Sequence, residues 1–461
     1  MISEAEEKNT LSQAPIGRLM LKYAIPSVVA LVVNALYNIV DQVFIGWGVG
    51  TLGNSATNVI FPLNMVMMAF ALLIGDGGAT YLSLHLGRGD QEKAEKGANN
   101  TLTWLIIIAV LFFLICAVFL EPLTGLFGAT PDNLEYALAY GRIVVLGFPF
   151  VIVGCGMCSV IRADGTPQLT MIAMIVGCLS NVILDALFVL GFNWGMEGAA
   201  IATVIGQVLN FAISMWYLPR FKTVKIRLSS MKPQFSLLKR IAGLGVSSFV
   251  SQIAVAVVMT VINYYLVHCG AQSEYGSDIP LAAFGIVMKF NTILTSVVTG
   301  IATGAQPIVG FNYGRGEYKR VRKTFYVAVK SATLVAILFF LAFQLTALFG
   351  DQGELYTQFS VMSFRIFPLL CFLNGFQTVA AIFFQSIGKP VLSGIVSLSR
   401  QIVFLIPAVM ILCSAMGILG VLWSGPVADG LAFILAFLFI IKQMAQLKES
   451  HNSKTTKGVK Q

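Results

Sequence analysis

Two carboxylates sit inside long apolar stretches of this chain at matching depths. Asp41 stands five residues before Gly46 near the end of one stretch, and Asp185 stands six before Gly191 near the end of another. At a helical rise of about 1.5 Å per residue, both fall roughly 8 to 9 Å inside the same boundary. Thr203, six residues beyond Glu197, reaches that level from a third stretch. The neighbours on these helical stripes are polar: Asn34, Tyr37 and Asn38 precede Asp41 by seven, four and three residues, and Asn181 precedes Asp185 by four. Two carboxylates sharing a dry pocket do not both stay ionised without a large cost, so the pair either holds a proton or binds a cation. Carboxylate, amide and hydroxyl oxygens suit a hard cation. These residues leave H⁺ and Na⁺ open, beside the plainer alternative that the acids only hydrogen-bond their helices together.

Every other ionisable group in an apolar stretch also needs a reason to be there. Arg400 and Asp429 each lie about eleven residues into consecutive stretches entered from opposite sides, which predicts a structural ion pair. Arg142 and Arg365 occupy equivalent places in two halves and are expected to bond backbone carbonyls. Asp76, in Gly75-Asp-Gly-Gly78, falls near the end of its stretch, within reach of water. Lys289, nine residues into its own, either lines a cavity or ties down a helix. His85, His268 and His451 are far apart, and no His/Cys cluster has metal-ligand spacing. Nor is there a nucleophile set, so the chain reads as no enzyme. The seven cysteines exclude a disulfide framework: all but Cys269 fall within apolar runs and read as small hydrophobes. Cys155-Gly-Met-Cys158 has redox spacing, but an apolar helix around it favours packing.

The elements that position these residues follow from composition. The 461 residues are 57% hydrophobic and only 11% charged, against about a quarter charged in globular chains. Twelve apolar runs suffice for twelve crossings: 17–46, 55–85, 98–120, 133–161, 168–191, 197–218, 240–268, 280–310, 324–349, 355–386, 390–413 and 418–442. Lipid offers backbone groups no partners, so each run must be helical, and none shows the alternation of a barrel strand. The net charge of +9 points to anionic lipid rather than to nucleic acid. Residues 1–16, with Glu4, Glu6 and Glu7, read as a solvated tail.

Loop charge sets orientation. One set of loops and tails holds Arg18, Arg88, Lys93, Lys96, Lys222, Lys225, Arg227, Lys232, Arg315, Lys319, Arg320, Arg322, Lys323 and Lys389. The alternating set holds Glu121, Asp132, Glu135, Glu197, Glu274, Asp278, Asp351 and Glu354, with neither Lys nor Arg. The positive-inside rule then places both termini in the cytoplasm of a plasma (inner) membrane protein. A repeat with a period near 223 residues divides the chain: Gly87-Arg-Gly-Asp90 returns as Gly314-Arg-Gly-Glu317, Arg142 as Arg365, and Gly165-Thr-Pro167 as Gly388-Lys-Pro390. The expected domains are a tail (1–16), a first lobe (17–218), a cytoplasmic linker (219–239), a second lobe (240–442) and a tail (443–461). A substrate site is expected where such repeats meet.

With these spans and this repeat, the chain resembles the MATE family, the multidrug and toxic compound extrusion transporters, from about residue 15 to 445. The resemblance is carried by Pro26 to Gly46 with Asp41, Leu86-Gly-Arg-Gly-Asp90 with its echo at Gly314, Arg162-Ala-Asp-Gly-Thr-Pro167, Asn181-Val-Ile-Leu-Asp185 and Gly198-Ala-Ala-Ile-Ala-Thr203. It implies an all-α membrane protein with twelve helices in two pseudo-symmetric six-helix bundles, V-shaped around a central cavity. It also implies a monomeric antiporter without a cofactor, exporting amphipathic, often cationic small molecules in exchange for H⁺ or Na⁺. The cation-coupling set is then Asp41, Asn181, Asp185 and Thr203, Pro26 is the hinge, and cavity positions are Asn34, Tyr37, Asn38, Gln252, Met259, Asn263, Lys289 and Gln377. Acids that some branches carry on spans 7 and 10 are replaced here by neutral residues such as Asn374 and Gln377. A lipid-linked precursor flippase of the same superfamily would share the fold but show a more cationic cavity. A major-facilitator transporter would carry a different loop between spans 2 and 3.

Overall fold

A computed structural model describes residues 10–131, 133–227, 231–276, 278–346 and 354–458. The acids Glu4, Glu6, Glu7, Asp132 and Asp351, and the expected end of the ninth span at 347–349, lie outside the described residues. Among the described residues, eleven helices are long and apolar enough to cross a membrane. A twelfth crossing is built from two pieces, Leu355–Ile366 and Cys371–Ser386, bent by 49° at Pro368. Proline lacks the amide hydrogen that would continue the helix, so the tenth span is broken where an unbroken one was expected. The last helix runs from Ile418 to Gly458, well past the expected boundary at 442. Residues 10–13 are helical and Leu11 is buried, which corrects the reading of 1–16 as solvated throughout.

The chain folds as two compact units whose borders are not those of the linker. One contains residues 29–252 and the other 15–28 with 253–461. The start of the first span (Ile16–Gly48) therefore belongs with the second half of the chain, and the start of the seventh (Phe235–Gly270) with the first half. Small residues make both exchanges possible by letting backbones approach. In the first unit, a Cβ on Gly245 would lie 1.8 Å from the carbonyl oxygen of Leu73, and one on Gly77 2.1 Å from that of Ile241. In the second, Gly300 and Gly304 press on the backbone of Val28 and Ala24.

Polar contacts reinforce the first arrangement and correct two expectations. Asp76 is buried rather than watered: Oδ1 accepts from Ser159 at 2.7 Å and Oδ2 from Ser248 of the seventh span at 2.8 Å. The Arg162 guanidinium stands 3.9 Å away. Arg142 and Arg365 are exposed, and among the described residues neither bonds a carbonyl. The linker is strapped to the first unit by buried Asp164, which accepts from the Tyr217 hydroxyl at 2.9 Å, the amides of Lys222 and Thr223, and the Thr223 hydroxyl at 2.6 Å. Asn99 continues the strap, donating to the Lys225 carbonyl and accepting from the Arg227 amide.

In the second unit, Arg400 lies on a π-helical turn, Ser399–Leu405, in the eleventh span. Its Nε donates to Asp429 Oδ1 at 2.5 Å. Cys269 and Cys413 form a disulfide, with Cα atoms 6.6 Å apart across the ends of the seventh and eleventh spans. That overturns the expectation of no disulfide and the reading of Cys413 as a small hydrophobe; the 144-residue separation hid the pairing.

Candidate functional site

The first unit positions the acids through close helix crossings. The fifth and sixth spans, which start at Pro167 and Gly195, meet at Gly177 and Gly206, where an added Cβ would lie 2.8 and 2.6 Å from the opposing carbonyl oxygens. Asn181 is one turn beyond the first glycine, and Thr203 nearly one turn before the second. Their side chains consequently face each other, the amide of Asn181 donating to the Thr203 hydroxyl at 3.4 Å. Asp185 is the last residue before a π-helical turn, Ala186–Gly191. Such turns interrupt a helix and often occur at functional sites.

Around this crossing lies a cavity of about 190 Å³. The first span lines it with Asn34, Tyr37, Asn38 and Asp41, the second with Asn64 and Met68, and the fifth and sixth with Asn181, Thr203 and Gln207. Asp185 is fully buried beside Asp41, close enough for the carboxyls to interact directly. Yet Asp41 Oδ1, both carboxyl oxygens of Asp185 and Asn181 Oδ1 are buried without a hydrogen-bond donor. Buried oxygens rarely go unsatisfied, because each forfeits its hydration. Among the described residues no Lys or Arg forms an ion pair with either acid. A cluster that presents only oxygens fits a proton or a hard cation, and fits a thiolate-seeking metal poorly.

Two members of this constellation went unseen in the sequence. Tyr140 lines the cavity from the fourth span (Leu134–Ala163), its hydroxyl within reach of Thr203. It stands five residues beyond Glu135, so the depth count that located Asp41 would have placed it in the same plane. Gln207 lies one turn after Thr203 on the same stripe. Conversely, none of Gln252, Met259, Asn263, Lys289 or Gln377 lines this cavity. Gln377 is buried, and its amide donates to the Val396 carbonyl at 2.8 Å, tying two helices together. Asn263 and Lys289 are exposed, and Lys289 is unpaired among the described residues.

Comparison with known proteins matches this architecture. Staphylococcus aureus (strain MRSA252) multidrug export protein MepA is 24% identical over 443 residues, covering 94% of this chain and 96% of the relative. Its counterpart in Staphylococcus saprophyticus is 24% identical over 440 residues with the same coverage. Among solved structures, a MATE protein in the straight conformation aligns with a TM-score of 0.88 at 23% identity, covering 95% of this chain and 98% of that one. A Pyrococcus furiosus transporter of the MOP superfamily, described by the reverse polarity of its binding pocket, aligns at 0.85 and 22% with the same coverage. The MatE family model matches residues 26–187 and 247–411. The chain therefore belongs to the MatE family and is a membrane transporter with twelve helical crossings, not an enzyme.

Proposed function

We propose that the protein is a secondary active multidrug antiporter, exporting amphipathic organic cations in exchange for H⁺ or Na⁺ by alternating access. Support for export comes from relatives described as multidrug export proteins along nearly their whole length. Support for ion coupling comes from one observation: the four buried, donor-less oxygens of Asp41, Asp185 and Asn181, of which Asp41 and Asn181 line the cavity. The same pocket argues against a drug-sized occupant, since such ligands fill roughly 300 Å³ or more and this cavity has about 190 Å³.

On this reading, a cation bound between the first and fifth spans removes the charge repulsion that otherwise strains their packing. The first span passes from one unit to the other between residues 28 and 29, just after Pro26. A change at Asp41 thus acts on the helix that belongs to both units, with Pro26 as its weak point. Ion binding drives the cycle only if the two open states differ in ion affinity; inverting a 1:99 ratio takes about 10⁴-fold. The loop-charge bias supports cytoplasmic termini in the cell membrane, and a single chain is taken as the working unit.

The test is efflux of ethidium from proteoliposomes, driven in separate experiments by a pH gradient and by a Na⁺ gradient. One gradient should drive export and the other should not, naming the ion. Export driven by neither, with functional protein present, would remove the antiport reading.

A further inference from the structure

We propose that the loop end of the ninth span (Tyr318–Thr346) is a binding site for an anionic glycerophospholipid of the leaflet on the basic-loop side. It rests on the membrane orientation proposed above, but not on transport. Lys319, Arg322, Lys323, Tyr326 and Lys330 follow one another at helical spacings that put all five on one face. They line an open groove of about 410 Å³ with Val327, and no acid contributes to it. Arg322 Nε is buried there without a hydrogen-bond partner. No ion pair engages Lys319, Lys323 or Lys330 among the described residues. Glu317, the nearest acid along the chain, acts on Arg320, whose Nε donates to Asn312 on another helix.

The repeat shows what such a face ordinarily meets. Aligning Gly87-Arg-Gly-Asp90 with Gly314-Arg-Gly-Glu317 pairs Lys319, Arg322, Lys323, Tyr326 and Lys330 with Glu92, Glu95, Lys96, Asn99 and Thr103 of the third span. On that span two acids accompany one lysine, Lys96, which pairs with Glu92, and the chain covers the face itself: Glu95 stands 3.9 Å from Arg227, and Asn99 bonds both sides of the linker. In the ninth span the two acids are replaced by Lys319 and Arg322, and Lys330 adds a further positive charge where the third span has Thr103. Its complement is therefore anionic, and the bilayer supplies one: Lys330 lies ~17 Å along the helix axis from Lys319, inside the apolar span. Lysine and arginine stems lie along apolar surface while their heads meet phosphate. Beyond Lys330 the same face continues as Leu334, Leu338 and Leu341, each more than half exposed, a track for acyl chains. Phosphate is the recognised group; the acyl track selects the lipid over the free anion.

The experiment is native mass spectrometry of the full, delipidated protein titrated with dimyristoyl phosphatidylglycerol, with phosphatidylcholine and inorganic phosphate as comparison probes. The chain should bind phosphatidylglycerol in preference to phosphatidylcholine. Arg322→Gln/Lys330→Gln should weaken that binding on the order of 10-fold or more. Lys225→Gln/Lys232→Gln, with the same charge loss in the linker, should change it less than about twofold. If the first variant is unstable, Lys319→Gln/Lys323→Gln, whose side chains are exposed, takes its place with the same expectation. An equal loss in the linker variant would reduce the effect to diffuse surface charge and overturn the proposal. So would displacement of the lipid by inorganic phosphate at equal concentration, which would make this a free-anion site.

Discussion

Each unit buries acids in apolar surroundings, and Asp429 of the second is treated oppositely to Asp41 and Asp185 of the first. In the second, Asp429 is 3% exposed and receives the Arg400 guanidinium at 2.5 Å. In the first, Asp41 and Asp185 are 8% and 0% exposed and have each other, with no guanidinium. A buried acid with a fixed counter-charge has nothing to exchange, because the pair is neutral and geometrically satisfied. A buried pair of acids without one must take its positive charge from solution. The contrast separates a static polar contact from an exchangeable one, using the same residue type at similar burial.

Asn substitution of either exchangeable acid should have the largest effect on transport. Asp41→Asn and Asp185→Asn are expected to reduce gradient-driven ethidium efflux to the level of empty liposomes, while gel filtration and thermal unfolding stay close to wild type. Losing the fold along with the activity would move these acids into the static class. For the ion pair the expected signature is reversed. Asp429→Asn leaves Arg400 buried without its anion and should cost about 3 to 5 kcal/mol of stability, read as a lowered Tm. Arg400→Met/Asp429→Leu should recover most of that stability and retain efflux; failure of the double variant to transport would give this pair a role in the cycle.

A smaller loss is expected at the linker strap. Asp164→Asn weakens several charge-assisted hydrogen bonds to residues 217–223 and should cost about 1 to 3 kcal/mol. The checking measurement is limited proteolysis within 219–234, which should accelerate. The smallest effect belongs to Lys289, exposed and unpaired among the described residues. Lys289→Gln should alter ethidium efflux by less than about twofold, as surface substitutions do. A larger change, of either sign, would place a functional cation in the second unit and bring back the flippase alternative.

The crossings were legible because lipid enforces helices over every long apolar run, and the acids because depth and stripe follow from a fixed rise per residue. The same arithmetic would have found Tyr140 and Gln207 had it been applied to uncharged polar residues. What escaped depends on contacts between distant segments. Gly77 and Gly245 look like ordinary small residues until their backbones are brought together, so the exchange of helix starts between units left no periodic trace. Asp76 was misjudged for a related reason: depth placed it near water, but Ser248, from 172 residues away, closes over it. Cys269 and Cys413 likewise carry no local mark of being partners.

The most direct test measures ion release when substrate binds. Ethidium is added to purified protein in weak buffer while proton release is followed with a pH indicator and displacement of bound ²²Na⁺ is followed in parallel. Wild-type protein should release one of the two ions, and Asp41→Asn/Asp185→Asn, though still folded, should release neither. Equal release from the double variant would contradict the assignment of ion exchange to this pair of acids.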